Sequence, residues 1–229
     1  MSTYGVSMEF IHSKDVKACG ASLSQCLARH YDLTCRQFGP SPASVLWQSR
    51  GTQAARFKAL MAVAGDDRFQ RRLSLNDVGC GYGALWFWLG WTWRWWQRGT
   101  YTGYDISPVM LEMALSRITS PRARFMCSPY PLVPADYTVA SGLFGLKLGA
   151  TDQEWDAWVE TLILHMAHAS RRGLACNFLN KRTRVSPQPT LWYTDPETEY
   201  DRMHRLLPGA YIWFAEPYLP GDFTLLVRF

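Results

Sequence analysis

The sequence predicts a doubly wound α/β fold: a seven-stranded sheet with helices on both faces and an antiparallel hairpin at its carboxyl end. Three observations support this prediction. Strand and helix patterns alternate between residues 73 and 207. A glycine-rich turn at 79–83 joins the first strand to the first helix. Two strand patterns, at 210–218 and 223–229, then follow each other with no helix between them.

Within the alternating region, short apolar runs bounded by glycine, proline or polar residues predict the strands. These runs lie at 73–79, 100–107, 123–127, 136–144 and 173–180.

The helices between these strands carry their own start signals. Ser107 and Pro108 mark a helix start because proline suits the first turn. Acidic residues open the run at 152–170, where they favour the positive end of the helix dipole. The helix that follows Gly83 is expected to end at Gly90. The other predicted helices are 108–118, 152–170 and 196–207.

The chain upstream of the first strand is predicted to be helical. Helices are expected around 21–31 and at 48–65, with a loop rich in Gly, Ser and Pro at 37–45. We therefore expect residues 1–65 to form an N-terminal helical segment and residues 66–229 to form the main α/β domain, within one structural unit.

The composition is that of a globular chain. Its 229 residues are 48% hydrophobic and 19% charged, which suits one domain with a full core. The net charge of +5 permits an anionic partner without requiring one. None of the six cysteines has metal-ligand spacing, and neither a secretory leader nor a transmembrane segment is apparent. The sequence thus predicts free thiols, no metal and a cytoplasmic location.

The glycine turn and an acid on the second strand predict a cofactor site. Glycines allow a ligand to approach the backbone closely, and ligands of such sheets bind beyond the carboxyl ends of the strands. Asp105 ends the second strand, where a carboxylate can accept hydrogen bonds from ribose hydroxyls. A nicotinamide site would space its glycines as G-x-G-x-x-G, whereas here they stand at Gly79, Gly81 and Gly83.

The run that begins with Asp77, "DVGCGYG", resembles the first motif of the class I S-adenosylmethionine-dependent methyltransferases. "YTGYDIS" with "PVMLEMA" resembles the second-strand motif of that family, and "DYTVASGLFGLKL" (136–148) resembles its fourth strand. The resemblance covers roughly residues 31 to 229. It implies a Rossmann-like fold, S-adenosyl-L-methionine as methyl donor, S-adenosyl-L-homocysteine as product and no metal.

The same resemblance implies a set of cofactor-binding residues. Ser128 stands after the third strand, where the family often has an acid, and a hydroxyl can also accept from an adenine amino group. The residues that end the fourth strand are expected to line the methyl-donor pocket. The set comprises Asp77, Gly79, Cys80, Gly81, Tyr82, Gly83, Asp105, Ile106, Ser128, Ser141 and Gly142.

Upstream, "HYDLTCRQFGPSPASVLWQSRGTQAARFKAL" (30–60) resembles a poorly characterised bacterial subgroup of the family, as do "SGLFGLKL" and "LWYTDP". This resemblance implies that Trp47, Gln53 and Arg56 form a lid over the cofactor. Arg56 is suited to a carboxylate such as that of the methionine moiety. A surface position on an ordinary helix would also explain Arg56 and Gln53.

No catalytic motif is visible, and methyl transfer can proceed by positioning alone. The chain lacks the Asn/Asp-Pro-Pro-Tyr/Phe motif of enzymes that methylate nucleobase or glutamine amino groups. Weak candidates for orienting the acceptor are Tyr31, Asn177 and Tyr193, for which structural roles are equally compatible. Further polar candidates are Lys147, Asn180, Asp195 and His204.

Three functions remain open from the sequence. The first is methyl transfer to N or O of a small-molecule acceptor. The second is methylation of nucleic acid or protein, suggested by the basic stretch 171–184 and by the tryptophan-rich run. The third is cofactor binding without catalysis. The tryptophan-rich run at 91–96 is interpreted as packing, or as a surface that supports an oligomer or partner contact.

Overall fold

The computed structural model describes residues 22–47, 49–69, 72–96, 99–183 and 188–229. Within these ranges the strands form one seven-stranded sheet of order β3-β2-β1-β4-β5-β7-β6. Strands β1 to β5 are parallel, and β7 runs antiparallel to both β5 and β6. The strands are β1 Ser74–Val78, β2 Thr100–Asp105, β3 Ala123–Cys127, β4 Ala135–Ala140, β5 Ser170–Leu179, β6 Tyr211–Phe214 and β7 Asp222–Arg228. The predicted doubly wound sheet with its antiparallel end is confirmed.

The helices alternate with these strands and are capped by local side chains. Ser22, Ser49 and Thr151 each form a capping box, which pairs otherwise unbonded N–H groups at a helix start. The α-helices are α1 Leu23–Phe38, α2 Arg50–Met61, α3 Ala84–Trp96, α4 Pro108–Arg117, α5 Asp152–His168 and α6 Pro196–Leu206. Short 3₁₀ helices span Pro42–Val45, Ala62–Phe69 and Lys181–Thr183.

Apolar side chains of the sheet alternate between two cores, one on each face. On β7, Leu225 and Val227 pack in the core beneath α5, whereas Leu226 lies in the core beneath α2. The same alternation separates Leu174 from Ala175 on β5. Both faces of the central strands are therefore covered, as the period of two along a strand requires.

Several predicted boundaries differ from the observed ones. Helix α1 runs to Phe38, through the predicted loop start, because Thr34 and Cys35 are buried against neighbouring elements. Strand β4 ends at Ala140 because the chain turns at Gly142, whose φ is +68°. The α-helix predicted at 48–65 gives way to a 3₁₀ helix after Met61.

The tryptophan-rich helix is only partly as predicted. Gly90 interrupts α3 with a non-helical backbone (φ 62°, ψ −158°), but the helix then resumes and continues to Trp96, which the prediction missed. Before the interruption, Leu85 and Trp86 are buried against the sheet. The side chains of the run 91–96 lie outside the described residues, so its role as packing or docking surface stays a prediction.

None of the helices in the described part of the chain combines the length and the apolar character that crossing a bilayer requires. The boundary at residue 65 between a helical segment and a main domain stays a prediction. Phe57 and Leu60, which precede it on α2, pack in the same core as Leu75 of β1 and Tyr137 of β4.

Stability should depend on the close contact between β5 and β7. A Cβ at Gly173 would lie 2.2 Å from the Val227 carbonyl oxygen, so Gly173→Ala must force the paired strands apart. We expect this variant to lower the free energy of unfolding by about 3 kcal/mol. The change can be measured by urea denaturation.

Gly221→Ala is the matched control because the same Cβ there meets nothing within 4 Å and neither glycine has a positive φ. Its effect should stay below about 1 kcal/mol. Equal losses in the two variants would contradict the role of the β5–β7 contact.

Candidate active site

The turn between β1 and α3 is anchored on the neighbouring strand. The N–H groups of Gly79 and Cys80 both donate to the Tyr104 carbonyl oxygen, at 2.8 and 3.0 Å. The turn's three glycines all have positive φ. The backbone of the turn is therefore held in a fixed conformation at the carboxyl edge of the sheet. The glycine spacing predicted a turn at this position.

Asp105, at the end of β2, fixes this turn from the other side. One carboxylate oxygen accepts the Gly81 N–H at 2.8 Å and the other accepts the Ser107 N–H at 2.9 Å. Burial raises the pKa of Asp105 to about 6, against the effect of these backbone hydrogen bonds. Each oxygen keeps acceptor capacity for a ligand hydroxyl, as the predicted ribose contact requires.

Asp77 lies beneath the turn and is almost fully buried. Its carboxylate accepts a hydrogen bond from the Tyr101 hydroxyl at 2.6 Å. Burial raises the pKa of Asp77 to about 7, so this carboxyl titrates near neutral pH in the folded chain.

A cavity of about 70 Å³ lies at this edge of the sheet, and we name it the inner cavity. Nearly all of the predicted cofactor-binding residues line it. Those that do are Trp47, Gln53, Asp77, Gly79, Cys80, Gly81, Tyr82, Asp105, Ile106, Ser128, Ser141 and Gly142. Their roles toward the cofactor stay predictions, but the structure gathers them around one space.

Gly83 and Arg56 were predicted as cofactor residues but do not line the inner cavity. Gly83 has a φ of +78°, which favours glycine, and a Cβ there would also lie 2.5 Å from Ile118 Cδ1. The Arg56 guanidinium lies 3.6 Å from the Trp47 ring centroid and forms an ion pair with Asp222. Arg56 therefore binds a carboxylate of the chain itself and does not line the inner cavity.

Two of the predicted lid residues are held by specific contacts. A Cβ at Gly142 would lie only 2.2 Å from Trp47 Cζ2, which shows how closely the indole rests on the turn after β4. The Gln53 side-chain oxygen accepts a hydrogen bond from the Tyr82 hydroxyl at 3.1 Å. Both contacts join the N-terminal helical segment to the sheet edge beside the inner cavity.

Ser128 is engaged with its own turn. Its hydroxyl donates to the Tyr130 carbonyl oxygen at 2.7 Å and accepts the Tyr130 N–H at 3.1 Å. With its proton committed, this oxygen is left with one lone pair, so it can act toward an adenine amino group only as an acceptor.

Two residues in the wall of the inner cavity each carry a buried polar atom with no hydrogen-bond partner in the described part of the chain. These are the Ser141 hydroxyl oxygen and the Trp158 Nε1. An unpaired buried polar atom is costly, and both of these atoms are buried rather than exposed to the cavity. Sequence reasoning missed Trp158 because its position on α5 has the ordinary pattern of an amphipathic helix.

A second, larger cavity of about 570 Å³ adjoins the first, and we name it the outer cavity. The two cavities share four wall residues: Tyr31, Val45, Trp47 and Gly142. All three weak catalytic candidates line the outer cavity, and Tyr31 lines both. Burial raises the pKa of Tyr31, so its hydroxyl keeps its proton at neutral pH and can donate a hydrogen bond.

The other polar candidates have structural partners. Lys147 forms an ion pair with Asp152, and Asp195 pairs with Arg182 at 2.7 Å. His204 packs against Tyr200 on the same helix. Only Asn180 of this group lines the outer cavity.

Within the described ranges, no three His, Cys, Asp or Glu side chains are grouped so that they could hold a metal ion.

Comparisons with known proteins agree with this geometry. The chain is 37% identical over 160 residues to a Mycobacterium tuberculosis protein named "Putative methyltransferase Rv1506c", an alignment that covers 68% of this chain and 92% of the relative. No family model matches the sequence.

Solved structures show the same fold at low sequence identity. The magnesium protoporphyrin IX methyltransferase ChlM of Synechocystis PCC 6803, with bound SAM, has a TM-score of 0.63 at 15% identity, covering 92% of this chain and 98% of its own. Human N-acetylserotonin methyltransferase in complex with SAM has a TM-score of 0.60 at 16% identity, covering 94% of this chain and 61% of its own.

The sheet order, the glycine turn and the relative together define the class of protein. The chain belongs to the class I S-adenosylmethionine-dependent methyltransferases, and the predicted family is confirmed. The predicted cofactor agrees with the SAM-bound neighbours.

Titration of Asp77 should be measurable as a pH dependence of stability. An exposed aspartate loses its proton at about pH 4, whereas folded Asp77 keeps it up to about pH 7. The folded state therefore binds more protons across this window, and stability falls as the pH rises, by up to about 1.4 kcal/mol per pH unit.

Denaturant unfolding of the wild type and of Asp77→Asn between pH 4 and 8 tests this. Relative to the wild type, the variant should gain free energy of unfolding as the pH rises to about 7. Above that pH the difference between the two proteins should stay constant. The variant keeps a side-chain oxygen that can accept a hydrogen bond from the Tyr101 hydroxyl. It has no carboxyl group, so this position no longer titrates. A difference that does not vary with pH would contradict the raised pKa.

Proposed function

We propose that this protein transfers the methyl group of S-adenosyl-L-methionine to a nitrogen or oxygen atom of a small molecule bound in the outer cavity. The observation that carries the proposal is the shared wall of the two cavities. A donor in the inner cavity and an acceptor in the outer cavity would meet beside Tyr31, Trp47 and Gly142.

The cofactor supplies a methyl group on a positively charged sulfur, and the chain's own residues supply the positions. The glycine turn and Asp105 provide backbone and carboxylate partners at the edge of the sheet. The indole of Trp47 and the ring of Tyr31 belong to the wall that the two cavities share. In-line displacement needs this alignment, which can supply much of the rate enhancement without a catalytic base.

The shape of the outer cavity favours a small molecule over a polymer. Its wall includes Leu146, Phe178 and Leu191 beside polar side chains, and its volume lies in the range of pockets for organic ligands. In the basic stretch, Arg172 pairs with Asp67 and Asp136, and Arg182 pairs with acidic neighbours. These arginines are therefore less available to a phosphate backbone.

The names of the structural neighbours support the same choice. Magnesium protoporphyrin IX and N-acetylserotonin, which those names carry, are both small molecules. The acceptor of this chain is proposed only as a class, because fold similarity at such low identity does not set the substrate.

A cytoplasmic location is part of the proposal. The described cysteines, Cys26, Cys35, Cys80, Cys127 and Cys176, are free thiols. Free thiols persist in the reducing compartment of a cell.

Incubation with radiolabelled S-adenosyl-L-methionine and separated cell fractions tests the function. We expect label in the small-metabolite fraction, and none in the nucleic-acid or protein fractions. Label found only in a polymer fraction would favour the second hypothesis, methylation of nucleic acid or protein. Absence of both label transfer and cofactor turnover, with the cofactor still bound, would favour cofactor binding without catalysis.

Asp105→Ala is the control for cofactor-dependent transfer. Loss of the carboxylate leaves the Gly81 and Ser107 N–H groups unpaired and should weaken cofactor affinity on the order of 100-fold. Label incorporation should fall with it, and calorimetry with S-adenosyl-L-homocysteine measures the affinity directly. Unchanged affinity would remove Asp105 from the cofactor site.

A further inference from the structure

We propose that Asp222, at the start of β7, positions the Trp47 indole in the wall between the two cavities, and that it acts through the Arg56 guanidinium. The inference deepens the proposed function and rests on it, because that wall would separate the methyl donor from the acceptor. Asp222 acts here as a positioning residue.

The backbone that presents Trp47 is strained. The preceding residue, Leu46, has a φ of 62° and a ψ of 29°, a left-handed conformation that residues other than glycine rarely adopt. Such a conformation costs free energy and persists where the surrounding structure determines it. The Trp47 N–H donates to the Pro42 carbonyl oxygen at 2.8 Å, which closes the turn. The indole must therefore be held by contacts outside this turn.

Two groups outside the turn contact the indole. One is Gly142, where a Cβ would lie 2.2 Å from Trp47 Cζ2. The other is Arg56, whose guanidinium carbon lies 3.6 Å from the ring centroid, well within the range of a cation–π contact. Since Trp47 belongs to the walls of both cavities, these contacts set the boundary between them.

The Arg56 guanidinium is held in turn by Asp222. The Arg56 Nε forms an ion pair with the Asp222 Oδ2, and the two side chains are only 15% and 4% exposed. Among the described residues, neither side chain forms an ion pair with any other group. A buried charge without its partner is costly. Loss of the carboxylate should therefore draw the guanidinium toward water and away from the indole.

The fold makes Asp222 a firm anchor. The residue begins β7, where it pairs with Leu179 of β5, so the carboxylate is carried by the sheet. Asp222 and Arg56 line only the outer cavity, whereas Trp47 lines both. A change at Asp222 should therefore reach the inner cavity through the indole.

Fluorine NMR of the full chain labelled with 5-fluorotryptophan tests the position of the ring. The Trp47 signal is identified by its loss in Trp47→Phe. We expect Asp222→Asn to shift this signal and to increase its broadening by a soluble gadolinium chelate, because the released ring is more accessible. An unchanged Trp47 signal overturns the inference.

Asp156→Asn is the matched control. It makes the same chemical change in another ion pair of a largely buried arginine, that with Arg202, and neither Asp156 nor Arg202 lines either cavity. The Trp47 signal should stay in place in this variant. An equal shift in the two variants overturns the specific role of Asp222.

Calorimetry with S-adenosyl-L-homocysteine tests whether Asp222 acts through the indole. We expect Asp222→Asn to weaken binding about 5-fold, although Asp222 does not line the inner cavity. In a chain that already carries Trp47→Ala, the same substitution should change the affinity less than about 1.5-fold. A full 5-fold loss in that background overturns the route through Trp47.

Arg56→Lys keeps the test decisive if Asp222→Asn does not fold. Lysine keeps a cation for Asp222 but lacks the planar group that lies against the indole. The Trp47 signal should shift in this variant too, and the absence of a shift overturns the inference. A shifted signal without label in any metabolite fraction supports the role of Asp222 and overturns the proposed function alone. Label transfer with an unchanged signal overturns the inference alone.

Discussion

The pair of hydrogen bonds that the Asp105 carboxylate accepts is the constraint on which the inner cavity depends. Gly81 belongs to the turn after β1 and Ser107 begins the helix after β2, so one buried group joins two consecutive strand–helix units. Without it, both N–H groups would be unpaired at a buried edge, at a cost of about 1–3 kcal/mol each. The same contacts oppose the rise in the pKa of Asp105 that burial causes.

The sequence predicts what depends on local patterns. The glycine spacing, Asp105 after β2 and the strand–helix alternation are each readable within a few residues, and the structure gathers them as expected. Arg56 shows the limit, because its partner Asp222 stands on the last strand and only the fold brings the two together. Trp158 shows a second limit of prediction from sequence. No local pattern distinguishes a tryptophan that lines a cavity from one that fills a core.

Unpaired buried donors are few in folded chains because each one costs free energy, so their location is informative. Ser141 and Trp158 line the inner cavity, whereas Asn177 lines the outer one. Arg56 and Asp222 form an ion pair with each other in the wall of the outer cavity.

The Trp47 indole rests on Gly142 and belongs to the walls of both cavities. A ligand that favours one position of this ring in either cavity changes the space offered in the other. Thermodynamic linkage makes such an effect reciprocal: the factor by which an acceptor changes the affinity for the donor equals the factor by which the donor changes the affinity for the acceptor. A shift of this shared ring on binding would therefore couple the two cavities.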